Sequence, residues 1–279
     1  MKGPQPSIRG MQLHGFERRE RQGVAFYVCL ALDRLPDLRH GFSTRSGGVS
    51  AASGLLNLGH VPWDTGDRVA ENQRRYLSAI GAGDTRLATL LQTHSDRIHI
   101  IDNNPALWNA QTEGDALITR TPGVALAVRT ADCFPILIAD PRTPTVAAVH
   151  AGWRGTLARI LSKTVAVMAR SCGCDPSSLL VAVGPGIRSC CFEVGPEVVA
   201  LCRREFPDAT LAVPGPHRQG KYLMDLPAAL RHQALECGIE PARIFDLGLC
   251  SRCTPDDFFS YRRESHRAGR MMGAIARLP

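Results

Sequence analysis

The sequence lacks a long apolar segment near its start. The first 25 residues are polar and contain no apolar run of signal-peptide or membrane-spanning length. We therefore predict a cytoplasmic protein with no membrane partner. Residues 1–24 are expected to form a flexible N-terminal arm, and residues 25–279 are expected to form a single domain. No internal repeat is visible along the chain.

The sequence lacks paired cysteine motifs of the kind that form a complete metal site. Two cysteine pairs resemble half of such a site, but each lacks a second pair. The chain has ten cysteines, which in a reducing compartment are thiols or metal ligands rather than disulfides. Cys172-Gly-Cys174 and Cys250-Ser-Arg-Cys253 have suitable spacing, but neither is accompanied by a matching pair. The adjacent Cys190 and Cys191 cannot easily bridge each other. Spacing alone therefore favours free thiols over a metal site at these cysteines.

Charge is not excessive in either direction. The chain is 21% charged and 44% hydrophobic, which is typical of a soluble globular protein. The net charge of +7 favours an anionic substrate or partner, although a basic surface without a special purpose explains it equally well. We expect a small-molecule substrate and no nucleic-acid partner.

Strands and helices alternate along the chain, so the predicted fold class is α/β (α+β). One helix is expected over about residues 65–80. Two nearly continuous apolar segments, residues 124–129 and 145–149, are typical of strands that are covered on both faces. The first runs into Cys133 and the second into His150. We predict neighbouring central strands whose ends bring these two side chains to one spot.

Three residues could together hold a metal ion, namely His94, Cys133 and His150. Zinc accepts thiolate and imidazole ligands, and three protein ligands leave a fourth position for water or substrate. Each residue also has an ordinary explanation, because a strand histidine is usually just hydrogen-bonded and a buried cysteine is usually part of the core. If residues 87–101 form one strand, alternation puts His94 and His99 on opposite faces, and nothing local places His94 near the other two candidate ligands. The alternatives stay open on spacing alone.

A series of different short motifs is distributed along about residues 38–270. They are Gly41-Phe42-Ser43-Thr44-Arg45, Gly47-Gly48-Val49-Ser50, Leu56-Asn57-Leu58-Gly59, Gln92-Thr93-His94, Thr130-Ala131-Asp132-Cys133-Phe134-Pro135, His150-Ala151-Gly152-Trp153-Arg154-Gly155, Gly184-Pro185-Gly186-Ile187, Cys253-Thr254, Phe259-Ser260-Tyr261-Arg262-Arg263 and Gly269-Arg270. In content and order they resemble the multicopper polyphenol oxidase (laccase)-like family of purine nucleoside phosphorylases.

The resemblance implies a four-layer α/β/β/α sandwich related to toxin-type cysteine hydrolases. It also implies about one zinc ion per chain, bound by His94, Cys133 and His150. The implied activities are phosphorolysis of adenosine, inosine and methylthioadenosine, with adenosine deamination in the same pocket. The family's older label implies copper-dependent oxidation of phenols. The sequence departs from the family at Gly114-Asp115 and in the loop over residues 61–67, which leaves the preferred nucleoside undetermined.

Roles for individual residues follow from the chemistry that the resemblance implies. The predicted catalytic residues are Arg45, Asp132, Cys133, His150 and Arg154, and the predicted substrate-binding residues are Arg45, Gly47, Gly48, Asn57 and Arg154. Arg45 beside its Gly-Gly turn is the first candidate for phosphate and Arg154 the second, because a guanidinium donates two parallel hydrogen bonds. The arginines near the C-terminus are the next candidates. Asp132 is expected to orient a ligand histidine.

Several functions remain in competition at the level of sequence. A zinc-dependent purine nucleoside phosphorylase uses the His/Cys/His set, whereas a Cys/His hydrolase uses Cys133 as nucleophile and His150 as base. Copper-dependent phenol oxidation needs many histidines with His-x-His pairs, but the chain has nine histidines and no such pair. A non-catalytic metalloprotein is the alternative outside the enzymes.

Overall fold

Two six-stranded β-sheets form the centre of the structure. The computed structural model describes residues 13, 15–51, 54–101, 111–207, 209–216 and 219–279. The strands of the first sheet are β1 (Phe16–Arg21), β2 (Val24–Cys29), β3 (Leu38–Ser43), β5 (Arg86–Ala88), β8 (Val124–Thr130) and β16 (Met271–Arg277). Their order across the sheet is β1-β2-β3-β16-β8-β5. A short strand outside this sheet, β4 (Ser46–Ser50), follows β3.

The second sheet carries the central part of the chain. Its strands are β6 (Ile98–Ile100), β7 (Ala116–Thr119), β9 (Phe134–Ala139), β10 (Val146–Ala151), β11 (Leu180–Val183) and β15 (Ile244–Asp246), in the order β15-β11-β9-β10-β7-β6. Its inner pairs are antiparallel, and its two edge pairs are parallel. A small three-stranded sheet contains β12 (Glu193–Val194), β13 (Ala212–Pro214) and β14 (Tyr222–Met224).

The helices of the described residues are α1 (Leu30–Asp33), α2 (Gly66–Ala79), α3 (Trp153–Leu157), α4 (Ile160–Cys172), α5 (Pro196–Glu205), α6 (Leu226–Glu236) and α7 (Tyr261–Glu264). Helices α2 to α6 cover the outer faces of the two large sheets, whereas α1 places Leu32 in the core between the sheets. Helix α2 packs on the first sheet, and α3 to α6 pack on the second. The predicted α/β class and α/β/β/α layer order are confirmed. In the described part of the chain, no helix is both long and apolar enough to span a bilayer.

The alternation of side chains along β8 explains how one strand serves two layers. Leu126 and Val128 face the second sheet, whereas Ala125 and Ala127 face α2, because successive side chains in a strand point to opposite faces. The small residues are on the helix side, where they leave room for the buried Tyr76. The prediction that this strand is covered on both faces is confirmed.

The two central strands predicted as neighbours lie in different sheets. β8 belongs to the first sheet and β10 to the second, so the prediction that Cys133 and His150 end adjacent strands is wrong. Cys133 instead lies in the connection from β8 to β9, where the chain crosses between the layers. β9 is the neighbour of β10. Hydrophobic pattern alone does not reveal which sheet a buried strand joins, since both faces are covered in either case.

Two further boundaries differ from the prediction. Phe16–Arg21 is a strand whose six residues all pair with β2, and its first residue, Phe16, is buried. The predicted arm over residues 1–24 therefore ends before this strand, and its residues 1–12 and 14 lie outside the described residues. His94 is in a loop between β5 and β6, with a φ of 58°, rather than within one strand.

Candidate metal centre and active site

His94, Cys133 and His150 converge on one point although they come from three separate parts of the chain. Their ligand atoms all lie within 4.8 Å of one another. Cys133 Sγ is 3.7 Å from His94 Nε2, and the two imidazole rings have centroids 4.9 Å apart at an angle of 77°. Bond lengths of a shared tetrahedral zinc require about 3.6 Å between sulfur and nitrogen. The donor set and its spacing therefore fit a metal ion.

Space for these ligands is provided by Gly152, which follows β10. A Cβ atom built on this residue would lie 2.9 Å from Cys133 Sγ and 2.9 Å from His94 Cδ2. Such contacts are closer than carbon and sulfur tolerate, so any larger residue here would displace a ligand. The arrangement of the three ligands therefore requires a glycine at this position.

The pairing of β9 with β10 brings Cys133 to His150. The two strands are antiparallel, with Phe134 opposite Ala151. Cys133 directly precedes β9, and His150 lies near the end of β10, so both occupy the same end of the strand pair. His150 lies in a buried strand and Cys133 directly beside its partner strand, so the hydrogen-bonded ladder fixes the position of one side chain relative to the other.

Asp132 fixes the turn that presents Cys133. Its φ of 95° is unusual for a residue other than glycine. The two carboxylate oxygens accept hydrogen bonds from Ser251 Oγ at 2.7 Å and from the backbone N–H of Arg262 at 2.6 Å. The prediction that Asp132 orients a ligand histidine is therefore wrong. Its carboxylate is already engaged by residues near the C-terminus, which no local pattern reveals.

A single buried carboxylate, that of Asp115, holds both histidines. It accepts hydrogen bonds from the backbone N–H groups of Thr93, His94 and Ser95 at 3.3, 3.1 and 2.6 Å. Its Oδ1 also lies 2.7 Å from Nδ1 of His150. With Nδ1 engaged, Nε2 is the nitrogen left to bind a ligand. Asp115 therefore shapes the His94 loop and orients the His150 ring at once.

The charges in this group are mutually dependent. Burial alone would raise the pKa of the Cys133 thiol, but His150 and His94 outweigh it and lower that pKa to about 6. Burial also opposes a charge on His150, yet the Cys133 thiolate and Asp115 raise its pKa to about 9. A thiolate is the form of cysteine that binds a metal or attacks a substrate. Metal binding would then release the proton of His150.

Replacing Asp115 with asparagine tests its role in holding the histidines. The amide keeps the size of the side chain but removes the charge that the three N–H groups and His150 share. We expect metal affinity to fall by about 10- to 100-fold, measured by competition with a chromophoric chelator. Glu113→Gln is the matched control, because Glu113 is a half-exposed acid that pairs with Arg97. An unchanged affinity in Asp115→Asn would contradict this role.

A cavity of about 530 Å³ adjoins the three candidate ligands. This volume is within the range of pockets that enclose a small organic molecule. Apolar lining comes from Leu91, Ile187 and Phe192, and hydrogen-bonding groups at the cavity wall come from His60 and Tyr261. The metal site and a ligand-sized space are therefore continuous.

Two half-buried arginines, Arg129 and Arg270, line the same cavity. Their guanidinium groups donate hydrogen bonds to the backbone carbonyls of Leu90 at 2.7 Å and Ala268 at 2.9 Å. Within the described residues, neither forms an ion pair with a carboxylate. Burial lowers the pKa of both, and the charge of Arg270 adds to this effect at Arg129. Positive charge that is short of carboxylate partners favours an anionic ligand.

The loop with Arg45 lies elsewhere. The Arg45 guanidinium donates to Glu264 at 2.8 Å and lies over the Phe259 ring. Gly47 and Gly48 pack against neighbouring backbone, since a Cβ on either would lie 2.2 Å from a carbonyl oxygen. None of the three is among the described residues that line the cavity. Their position argues against the predicted roles in phosphate and substrate binding.

Arg154 and Asn57 are also outside the cavity lining. Arg154 is exposed and stacks on Trp153 with 4.3 Å between guanidinium carbon and ring centroid. Asn57 is fully buried, and its Oδ1 accepts a hydrogen bond from the backbone N–H of Arg270 at 2.9 Å. Asn57 thus positions a cavity residue without lining the cavity itself. The sequence motifs do not single out Arg129 as a phosphate-binding candidate. Its place directly after an apolar run, near the end of a buried strand, is the feature that could have identified it.

Most of the chain matches known proteins. The family described as "Multi-copper polyphenol oxidoreductase laccase" matches residues 39–278. A purine nucleoside phosphorylase of Deinococcus radiodurans is 42% identical over 250 residues, covering 88% of this chain and 92% of that protein. Adenosine deaminase RL5 of an unknown prokaryotic organism is 38% identical over 246 residues, covering 85% and 94%.

The structure also resembles solved ones. The crystal structure of YlmD from Geobacillus stearothermophilus superposes with a TM-score of 0.85 at 32% identity, covering 95% of this chain and 99% of that one. The similarity therefore extends from the sequence motifs to the arrangement of both sheets. The chain belongs to the multi-copper polyphenol oxidoreductase laccase family, as its motifs predict.

Proposed function

We propose that the protein is a zinc-dependent purine nucleoside phosphorylase, which cleaves adenosine, inosine and methylthioadenosine with phosphate. Adenosine deamination is proposed as a second activity of the same cavity. One observation carries the proposal: a single cavity is lined both by His94, Cys133 and His150 and by the arginine pair Arg129 and Arg270. Relatives named purine nucleoside phosphorylase and adenosine deaminase support it.

The arginine pair is proposed to hold the phosphate nucleophile. Phosphate carries negative charge that guanidinium groups bind through parallel hydrogen bonds. Arg129 and Arg270 are anchored by backbone carbonyls, so part of their conformational freedom is already lost before phosphate enters. Because the transition state at the ribose C1′ atom is oxocarbenium-like, a phosphate held beside it acts mainly through position and charge.

The apolar side of the cavity is proposed to hold the purine. Phe192 and Ile187 offer flat and branched apolar surface to a base, while His60 and Tyr261 can donate hydrogen bonds to the base or the ribose. Both of these polar residues are exposed, so their hydrogen-bonding groups are not already committed to the core. This arrangement separates an apolar binding surface for the base from the cationic one for phosphate.

His94, Cys133 and His150 are proposed to hold zinc. A zinc ion at this position would supply a Lewis acid and would lower the pKa of a coordinated water, which adenosine deamination requires. Asp115 keeps the His150 ring in the orientation that leaves Nε2 available, and Asp132 keeps Cys133 at the cavity wall. Copper-dependent phenol oxidation fits less well, since the chain has nine histidines and no His-x-His pair.

A Cys/His hydrolase is the second candidate, because Cys133, His150 and Asp115 form a nucleophile, a base and an orienting carboxylate. His94 argues against it. Its Nε2 is 3.7 Å from the Cys133 sulfur, where it adds a third metal ligand but has no task in such a triad. Removing and restoring metal separates the two, since only the zinc enzyme would lose and regain activity.

Product analysis tests the proposed function directly. Phosphorolysis consumes phosphate and releases a free base with ribose-1-phosphate, whereas deamination consumes water and converts adenosine to inosine. We expect adenosine with phosphate to yield mainly adenine and ribose-1-phosphate, with less inosine, in a chromatographic assay. Omission of phosphate should abolish adenine release but leave inosine formation. If adenosine gives only inosine at every phosphate concentration, the phosphorylase assignment is wrong.

A further inference from the structure

Four cysteines outside the cavity form a second cluster with metal-binding geometry. The sulfur atoms of Cys190, Cys191, Cys250 and Cys253 all lie within 4.8 Å of one another. Cys253 Sγ is 3.2 Å from Cys191 Sγ and 3.6 Å from Cys190 Sγ. The sequence shows Cys250 and Cys253 without a matching pair. The fold supplies that pair, because it places the loop after β11 beside the loop after β15.

The spacing suits a tetrahedral ion. Four sulfurs at about 2.3 Å from a central zinc are about 3.8 Å apart, so the observed separations need only small adjustment. Cys190 and Cys191 are adjacent and cannot easily bridge each other, but both can reach one ion. A disulfide between Cys191 and Cys253 would use only two of the four thiols. A shared ion is the arrangement that engages all of them.

Backbone hydrogen bonds hold the two loops in register. The N–H groups of Cys253 and Thr254 both donate to the carbonyl of Cys250 at 3.1 Å, which closes a tight turn around the Cys-x-x-Cys pair. Ser251 N–H donates to the carbonyl of Gly186 at 2.9 Å and joins this turn to the loop that carries the other pair. These hydrogen bonds therefore fix the backbone of both loops at the positions that bring the four sulfurs together.

Charge at the cluster also fits. Four thiolates around a divalent zinc leave an excess of two negative charges, which a nearby cation stabilises. Arg252 lies between the two cysteines of the pair, and its Nη1 is 3.4 Å from Cys191 Sγ. Cys191 and Cys250 are buried, whereas Cys190 is exposed. The exposed member offers a path by which the ion can enter.

We propose that Cys190, Cys191, Cys250 and Cys253 bind a structural zinc ion. Thiolate-only tetrahedral sites select zinc among available divalent ions and are closed to substrate. This site needs no contribution from the proposed catalytic zinc. Its consequence for the cavity runs through Ser251, whose hydroxyl donates to Asp132 in the turn before Cys133. The structural ion thus stabilises a wall of the active site.

Counting metal in two proteins separates this site from the catalytic one. Elemental analysis after purification without added metal should find two zinc ions per wild-type chain and one in Cys133→Ala. That remaining ion, exchanged for cobalt, should show the intense near-ultraviolet thiolate-to-cobalt absorption of a tetrahedral thiolate site. One ion in wild type and none in Cys133→Ala would overturn the four-cysteine site and leave the proposed function standing. One ion in both proteins would support the site and contradict the catalytic assignment.

Substitution within the cluster assigns the ligands. Cys250→Ser/Cys253→Ser in the Cys133→Ala background should remove the last zinc, whereas Cys172→Ser/Cys237→Ser, at two half-buried thiols outside both clusters, should keep it. If the cluster variant does not fold, an organomercurial titration of the folded Cys133→Ala protein replaces it. Release of one zinc as its thiols react supports the proposal. Absence of release, an intact mass showing a Cys191–Cys253 disulfide, or iron in place of zinc would overturn it.

Discussion

Cys133→Ala is expected to lose one metal ion per chain and to lower kcat/KM by at least about 1000-fold. The thiolate is the only anionic ligand of the set, and its removal leaves two imidazoles to hold a divalent ion. Loss of a Lewis acid removes several kcal/mol of charge stabilisation, and each 1.4 kcal/mol is about tenfold in rate. Zinc content and steady-state kinetics of the purified variant measure both effects.

The fold of this variant should stay intact. Cys133 lies in a turn at the start of β9, while the buried apolar residues that stabilise the sheet are unchanged. Cys172→Ala is the control, because this half-buried thiol at the end of α4 belongs to neither of the two clusters of possible metal ligands among the described residues. It should keep metal, activity and melting temperature. A Cys133→Ala protein with the metal content of wild type would rule out Cys133 as a ligand.

Arg270→Met should raise the KM for phosphate by roughly 30- to 150-fold while changing the KM for nucleoside little. Methionine preserves much of the apolar stem but removes the guanidinium. A charge-assisted hydrogen bond of this kind contributes about 2–3 kcal/mol, which corresponds to that factor. The effect falls on phosphate because Arg270 shares the cavity wall with Arg129 and because neither pairs with a carboxylate within the described residues. Initial rates at varied phosphate and saturating adenosine measure it.

Arg154→Ala provides the matched control. Sequence reasoning proposed Arg154 for the same task, but its guanidinium is exposed and stacks on Trp153 outside the cavity lining. We expect its phosphate KM to equal that of wild type. The inosine produced without phosphate should be largely retained in Arg270→Met, since deamination uses no phosphate. Equal phosphate KM values in Arg270→Met and wild type would remove Arg270 from the proposed phosphate site.

Local pattern was sufficient for several elements. The helix predicted over about residues 65–80 is α2, Gly66–Ala79, where the side chain of Thr65 accepts from the N–H of Arg68 at the first turn. The two predicted buried strands, before Cys133 and up to His150, are also present as β8 and β10. Their uninterrupted small and branched apolar residues are typical of strands that are covered on both faces. Element type and the α/β class depend on interactions between near neighbours in sequence.

The sequence by itself also selected three residues, His94, Cys133 and His150, because their motifs are those of a known family. Tertiary structure decided everything that depends on pairs far apart in the chain. It assigned β8 and β10 to different sheets, and it placed Arg129 and Arg270 at the cavity instead of Arg45.

Tertiary structure also selected Asp115, rather than Asp132, as the carboxylate that holds His150. It joined Cys190 and Cys191 to Cys250 and Cys253, a pairing that spacing could not predict. The physical reason is the same in each case. A side chain's charge, hydrogen bonds and burial are set by the residues that folding brings into contact, and periodicity along the chain records only which face is buried, not what lies against it.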